Sequence, residues 1–183
     1  MGLNVLPDES LPASGGGQLQ ITMKLVILGL GNTILSDDGA GIYVVRKINE
    51  RFSLDTSHQP LVTIKEASLG GFNFIDLLTG FDRAVIIDAV HTKSGKPGEY
   101  YELDPAALKP SARLSSLHGI DFATAVQMAH DMGVPFPKEI KIFVMEVEDE
   151  FTFGEKCTPK VEAAIKPMAE FVWKTLYNNG WIL

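Results

Sequence analysis

Two neighbouring acids, Asp37 and Asp38, stand in the glycine-rich segment GLGNTILSDDGAG, residues 29–41. Asp88 lies near the end of the apolar run RAVIIDAV, His91 follows that run, and His118 stands just before a helix expected from Ile120. Carboxylates and an imidazole brought together from separate loops form an incomplete N/O donor set of the kind borderline divalent metals accept. The positive end of the following helix dipole disfavours imidazolium at His118 and leaves the ring free to donate a lone pair. Each residue also has a plainer reading. Asp38 can cap the helix beginning at Gly39, Asp88 can satisfy loop amides, and His118 can cap the next helix. His58 and His130, in a polar connection and at a helix end, read as surface residues. The glycine loop superficially suggests a dinucleotide site, but Asn32 and a long insertion replace the third close glycine. Two adjacent acids would repel a diphosphate at a helix N-terminus, so a cation suits this loop better.

The elements that must position these residues are visible as hydrophobic periodicity. KLVILGL (24–30) is a short branched apolar run, as expected of a strand buried on both faces of a parallel sheet. Residues 39–52 follow with Ile42, Val45 and Ile48 spaced by three between charged residues, which predicts a helix. LVTIKEA (61–67) and RAVIIDAV (83–90) read as further strands, with a short helix over 71–78 between them. EYYEL (99–103) suits an edge strand of unassigned direction, residues 120–132 a helix stopped by Gly133 and Pro135, and IKIFVMEV (140–147) the last strand. A final helix opens at Thr158 and Pro159, a cap hydroxyl followed by proline at the first helical position, and runs to about Asn178. Pro167 inside it predicts a kink or local break. Alternating strands and helices imply a mainly parallel, twisted sheet covered on both faces, a three-layer α/β/α sandwich. In such sheets ligands gather outside the carboxyl ends of the strands, which places Asp37, Asp38, Asp88, His91 and His118 on one edge.

Composition bounds the function classes. The chain has 183 residues, 45% of them hydrophobic, enough for one domain with a full core. Lys plus Arg total 16 against 23 for Asp plus Glu, a formal charge of -7 that argues against nucleic acid and anionic membranes. Cys157 is the only cysteine, so an intrachain disulfide is impossible and a cytoplasmic setting is the simplest expectation. Residues 1–22 hold two prolines and a Gly-Gly-Gly run but no basic n-region or apolar h-region; they read as a flexible extension ahead of a single domain over 23–183.

With the motifs located, the chain resembles the hydrogenase maturation proteases, over about Met23 to Asn179. The carrying segments are KLVILGLGNTILSDDGAGIYVV, VIIDAV, LHGIDFATAV and CTPKVEAAIKPM. The resemblance implies a five-stranded α/β fold and an endopeptidase that removes a C-terminal extension from the large-subunit precursor of a nickel-iron hydrogenase. It implies a metal site of an acid in the glycine loop, an aspartate after the third strand and a histidine, which fall on Asp38, Asp88 and His118. Some relatives carry Glu where this chain has Asp38, and His91 is a second candidate ligand. Nickel would arrive already installed in the precursor, so that cleavage is gated by its recognition. For scission, a metal polarises the carbonyl or acidifies a water while Asp38 or Asp88 acts as general base; an aspartic mechanism without metal would need the two carboxylates to share a proton. Cys157 reads as a small packed hydrophobe rather than a nucleophile. Glu146 and Glu148, near the last strand's end, approach the same rim and are left out of the expected site. The expected molecule is a monomer. The rival readings are a non-catalytic nickel-insertion checkpoint or chaperone and, less well supported, a nucleotide-binding module.

Overall fold

The computed structural model describes residues 23–54, 61–68, 73–104 and 122–182. The expectations for residues 1–22, for His58 and for His118 lie outside them. Strand β1 (Leu25–Leu30) is followed by a 3-10 turn (Ser36–Gly39), helix α1 (Ala40–Leu54), β2 (Val62–Ala67), α2 (Asn73–Leu78), β3 (Arg83–Val90) and β4 (Tyr100–Leu103). Helix α3 (Phe122–Asp131), β5 (Glu139–Glu146) and α4 (Pro159–Asn178) complete the order.

The five strands form one sheet in the order β2-β1-β3-β5-β4. β1 pairs in parallel with β2 and β3, β3 in parallel with β5, and β4 runs antiparallel to β5 on the edge. That pairing supplies the direction of residues 99–103 which local sequence could not. All six residues of β1 are buried and seven of the eight in β3, because helices cover both faces. Leu25, Ile27, Val85, Ile87, Phe143 and Met145 face α1 and α4. Val26, Leu28, Ala84, Ile86, Ile142 and Val144 face the other way, against Leu77 and Leu78 of α2 and Val126 of α3. Alternate residues of one strand thus feed two cores. The three-layer expectation holds.

Two local expectations need correction. Of the kink or local break expected at Pro167, the break does not form: α4 is helical from Pro159 to Asn178. Both Pro167 and Ala163, whose carbonyl would have been its partner, are exposed, so the carbonyl that proline leaves without a donor lies on the helix's solvent side. Thr158 occupies the N-cap position of α4, yet its side chain makes no capping bond there; its hydroxyl is engaged elsewhere, as described below. No helix among the described residues is long and apolar enough to cross a membrane.

Candidate active site

Sheet order puts a crevice between β1 and β3, where the chain leaves neighbouring parallel strands toward opposite sides. The first turn of α1 sits directly on that spot, and only glycine permits it. A Cβ on Gly41 would stand 2.4 Å from the Leu30 carbonyl oxygen and 2.5 Å from that of Ile87. Gly31, at φ +136, would place a Cβ 1.9 Å from the Asp38 carbonyl oxygen. The glycines are therefore spent on packing helix against strand ends, which folds residues 31–39 over the carboxyl edge of the sheet.

The two adjacent acids do different work. Asp37 is fully buried. Its Oδ1 accepts from the Thr158 amide at 2.6 Å, and its Oδ2 accepts from the Thr158 hydroxyl at 3.0 Å and from the amides of Glu148 and Asp149 at 3.1 Å. Its own amide donates to the Asp149 carbonyl at 2.9 Å. A buried carboxylate needs several donors, and Asp37 draws them from the loop after β5 and the start of α4. It ties three segments together, a role that sequence reading of the pair did not separate from that of Asp38.

Asp38 is half-buried within the 3-10 turn, whose N-cap position is Leu35 and which has no side-chain cap. Its Oδ2 is shielded from solvent and receives no hydrogen bond from the described residues. Asp88 is 8% exposed, one turn of pleat before the end of β3, and its Oδ1 accepts from the Ala89 amide at 2.8 Å. The plainer reading of Asp88 as an amide acceptor is thus met by one oxygen only. Burial, above all, pushes its carboxyl up to about 7, and the charges of Asp38 and Glu150 add to the rise against the opposing Ala89 bond. An acid whose proton affinity is raised by burial and by a neighbouring acid's charge suits a divalent cation, which relieves that repulsion. Among the described residues no group of three or more His, Cys, Asp or Glu is gathered to hold a metal. Asp38 and Asp88 contribute two acids, and His118, the third expected ligand, lies outside the described residues. His91 directly follows β3 and is exposed.

Glu146 lies at the same edge but is 2% exposed and committed. Its Oε1 accepts from the hydroxyls of Thr92 and Tyr101, both at 2.9 Å, and its Oε2 from the Thr92 amide at 3.0 Å. A Cβ on Gly95 would fall 2.0 Å from this carboxylate, so the turn after β3 wraps around it. The sequence signal was an acid ending an otherwise apolar strand. Cys157 is buried with its thiol pushed up to about 12, first by burial and then by the charges of Asp37 and Glu162. A thiol so held carries almost no thiolate, which removes it as a nucleophile.

An α/β sandwich with two carboxylates at its carboxyl edge, where the strand order reverses, has the placement of a ligand site in open α/β sheets. The chain belongs to the hydrogenase maturation protease family, whose profile (HycI: Hydrogenase maturation protease) matches residues 42–175. It is an endopeptidase by that membership. The hydrogenase 2 maturation protease of Escherichia coli K12 is 26% identical over 159 residues, covering 86% of this chain and 93% of that protein. The hydrogenase expression/formation protein HupD of Bradyrhizobium diazoefficiens is 25% identical over 167 residues, 86% of this chain and 80% of its own length. Among solved structures, the hydrogenase maturating endopeptidase HybD from E. coli superposes with TM-score 0.66 at 25% identity, over 86% of this chain and 94% of that one. The HycI protease of Thermococcus kodakarensis has the same fold, with TM-score 0.61 at 21% identity over 86% and 95% of the two chains.

Proposed function

We propose that this endopeptidase removes the C-terminal extension of a nickel-iron hydrogenase large-subunit precursor once nickel is in place. The observation that carries the reading is the carboxyl pair: Asp88, desolvated in the crevice, with the Asp38 charge raising its proton affinity. Membership of the maturation protease family supports the substrate class. Nickel is part of the substrate in this scheme. Asp38, Asp88 and His118 complete its coordination, so a precursor lacking the ion binds more weakly and is not cut. At the scissile peptide a water oxygen adds to the carbonyl carbon while one of the two carboxylates takes its proton. That proton then passes to the departing nitrogen as the C–N bond breaks. A monomer acting in the cytoplasm is the proposed setting.

The test is incubation of the protein with the large-subunit precursor, with and without nickel, reading C-terminal trimming by intact mass. Trimming should require nickel and fall by at least about 100-fold in Asp38→Asn, Asp88→Asn and His118→Ala. Trimming that persists in all three moves the site elsewhere. Nickel-dependent binding without trimming by the unaltered protein supports a checkpoint instead.

A further inference from the structure

An aromatic ledge adjoins the carboxylates. Phe151 is 79% exposed, Phe153 81% and Ile34 55%, whereas most other large apolar side chains among the described residues pack inward. These three are not on a loose loop. Leu35 and Phe153 form an antiparallel bridge, and the Gly154 amide donates to the Ile34 carbonyl at 3.0 Å. Asp149 Oδ1 accepts from the amides of Phe151 at 3.2 Å and Thr152 at 3.0 Å, while the Asp149 amide is held by Asp37. The backbone thus fixes two phenyl rings in solvent, and an exposed apolar patch held this way marks a contact surface. Around it stand Glu148, Glu150 and Glu155, which form no ion pair among the described residues.

We propose that Ile34, Phe151 and Phe153, rimmed by Glu148, Glu150 and Glu155, dock a segment of the precursor that carries an apolar side chain beside a lysine or arginine. This rests on the precursor-processing reading above. Continuity with the carboxylates supports it. The Leu35 carbonyl that borders the bridge accepts from the Asp38 amide at 2.9 Å, and Glu150, next to Phe151, is near enough to Asp88 to act on its charge. A chain lying on the ledge therefore continues into the crevice. Charge selects the occupant: an apolar surface alone would take any greasy segment, whereas Glu148, Glu150 and Glu155, outnumbering the adjacent Lys156, favour a cationic one. A second copy of this chain, with a formal charge of -7, fits such a rim poorly.

The experiment compares steady-state trimming of the nickel-loaded precursor by the unaltered protein, by Phe151→Ser/Phe153→Ser and by Glu148→Gln/Glu155→Gln. The phenylalanine pair should raise KM by about 10-fold or more with kcat within about two-fold, since it removes binding remote from the reacting atoms. The glutamate pair should raise KM by about three-fold at low salt and lose that difference at about 0.5 M salt. Thermal melts of both variants should match the parent, because the altered side chains face water. An unchanged KM in the phenylalanine variant, with the parent active, overturns the ledge. So does a concentration-dependent dimer in sedimentation that this variant abolishes, which would assign the surface to a second copy. If the parent itself does not trim, the precursor-processing reading fails; affinity for the same precursor then decides the ledge, equal binding by parent and variant overturning it.

Discussion

Asp88 keeps its proton to about pH 7 because the sandwich buries it, and that has a measurable consequence for stability. Below the ordinary carboxyl value of 3.8 the group is protonated in folded and unfolded chains alike. Between there and about 7 the unfolded chain ionises and the folded one does not, so stability falls as pH rises; above about 7 the loss is complete. Asp88→Asn, which keeps an oxygen for the Ala89 amide but cannot ionise, should be more stable than the parent at pH 8, by on the order of 4 kcal/mol. The gain should vanish near pH 4. Thermal melts across that range check it, and a difference independent of pH would show that Asp88 is not the buried acid described. The same residue was legible in sequence as a candidate because it follows an apolar run. Its altered proton affinity was not, since desolvation depends on what α1 and the loop after β5 lay over it.

At the scale of elements, Asp37 joins the 3-10 turn, the loop after β5 and the start of α4. Removing its carboxylate strands the Thr158 amide and hydroxyl and the amides of Glu148 and Asp149. Asp37→Ala should cost about 3 kcal/mol in urea unfolding, against about 1 kcal/mol for Thr158→Val, which removes one donor alone. Nickel-dependent trimming per folded molecule should also fall in Asp37→Ala, because the turn that carries Asp38 loses its anchor. Equal costs for the two substitutions would mean that the amides are not held by Asp37. Local sequence identified the strands and α-helices whose residues are described, since strand and helix periods differ, but not the 3-10 turn that carries Asp37 and Asp38. It misjudged Pro167 and the Thr158 hydroxyl, whose behaviour depends on solvent exposure and on a carboxylate 121 residues away.

Across the whole molecule, function and stability are separated along α1. Its first turn rests on the carboxyl ends of β1 and β3 beside the site, while Phe52 near its other end packs against Trp173 with ring centroids 4.6 Å apart. Arg51 lies over the same indole at 4.3 Å. At about 1.5 Å of rise per residue, that cluster is roughly 20 Å from Asp38. Trp173→Ala should therefore cost about 3–4 kcal/mol by leaving a cavity, yet leave trimming per folded molecule at low temperature close to the parent's. A lower melting temperature with unchanged kcat is the expected pair of results. A large fall in kcat would show that the far end of α1 is coupled to the site.

Sequence alone determined the fold class, because periods of two and of about 3.6 residues and the glycines bounding them are local properties of the chain. It also placed Asp37, Asp38 and Asp88 after β1 and near the end of β3, the general location of sites in such sheets, while the family resemblance narrowed the expectation to Asp38, Asp88 and His118. Tertiary structure decided what Asp37 does beside Asp38. Adjacent in sequence and identical in type, they differ only in what reaches them: donors from beyond β5 surround the first, while the second lies within reach of Asp88's charge. The commitment of Glu146 to Thr92 and Tyr101, and the outward Phe151 and Phe153, were likewise decided by contacts between distant segments, which no spacing along the chain encodes.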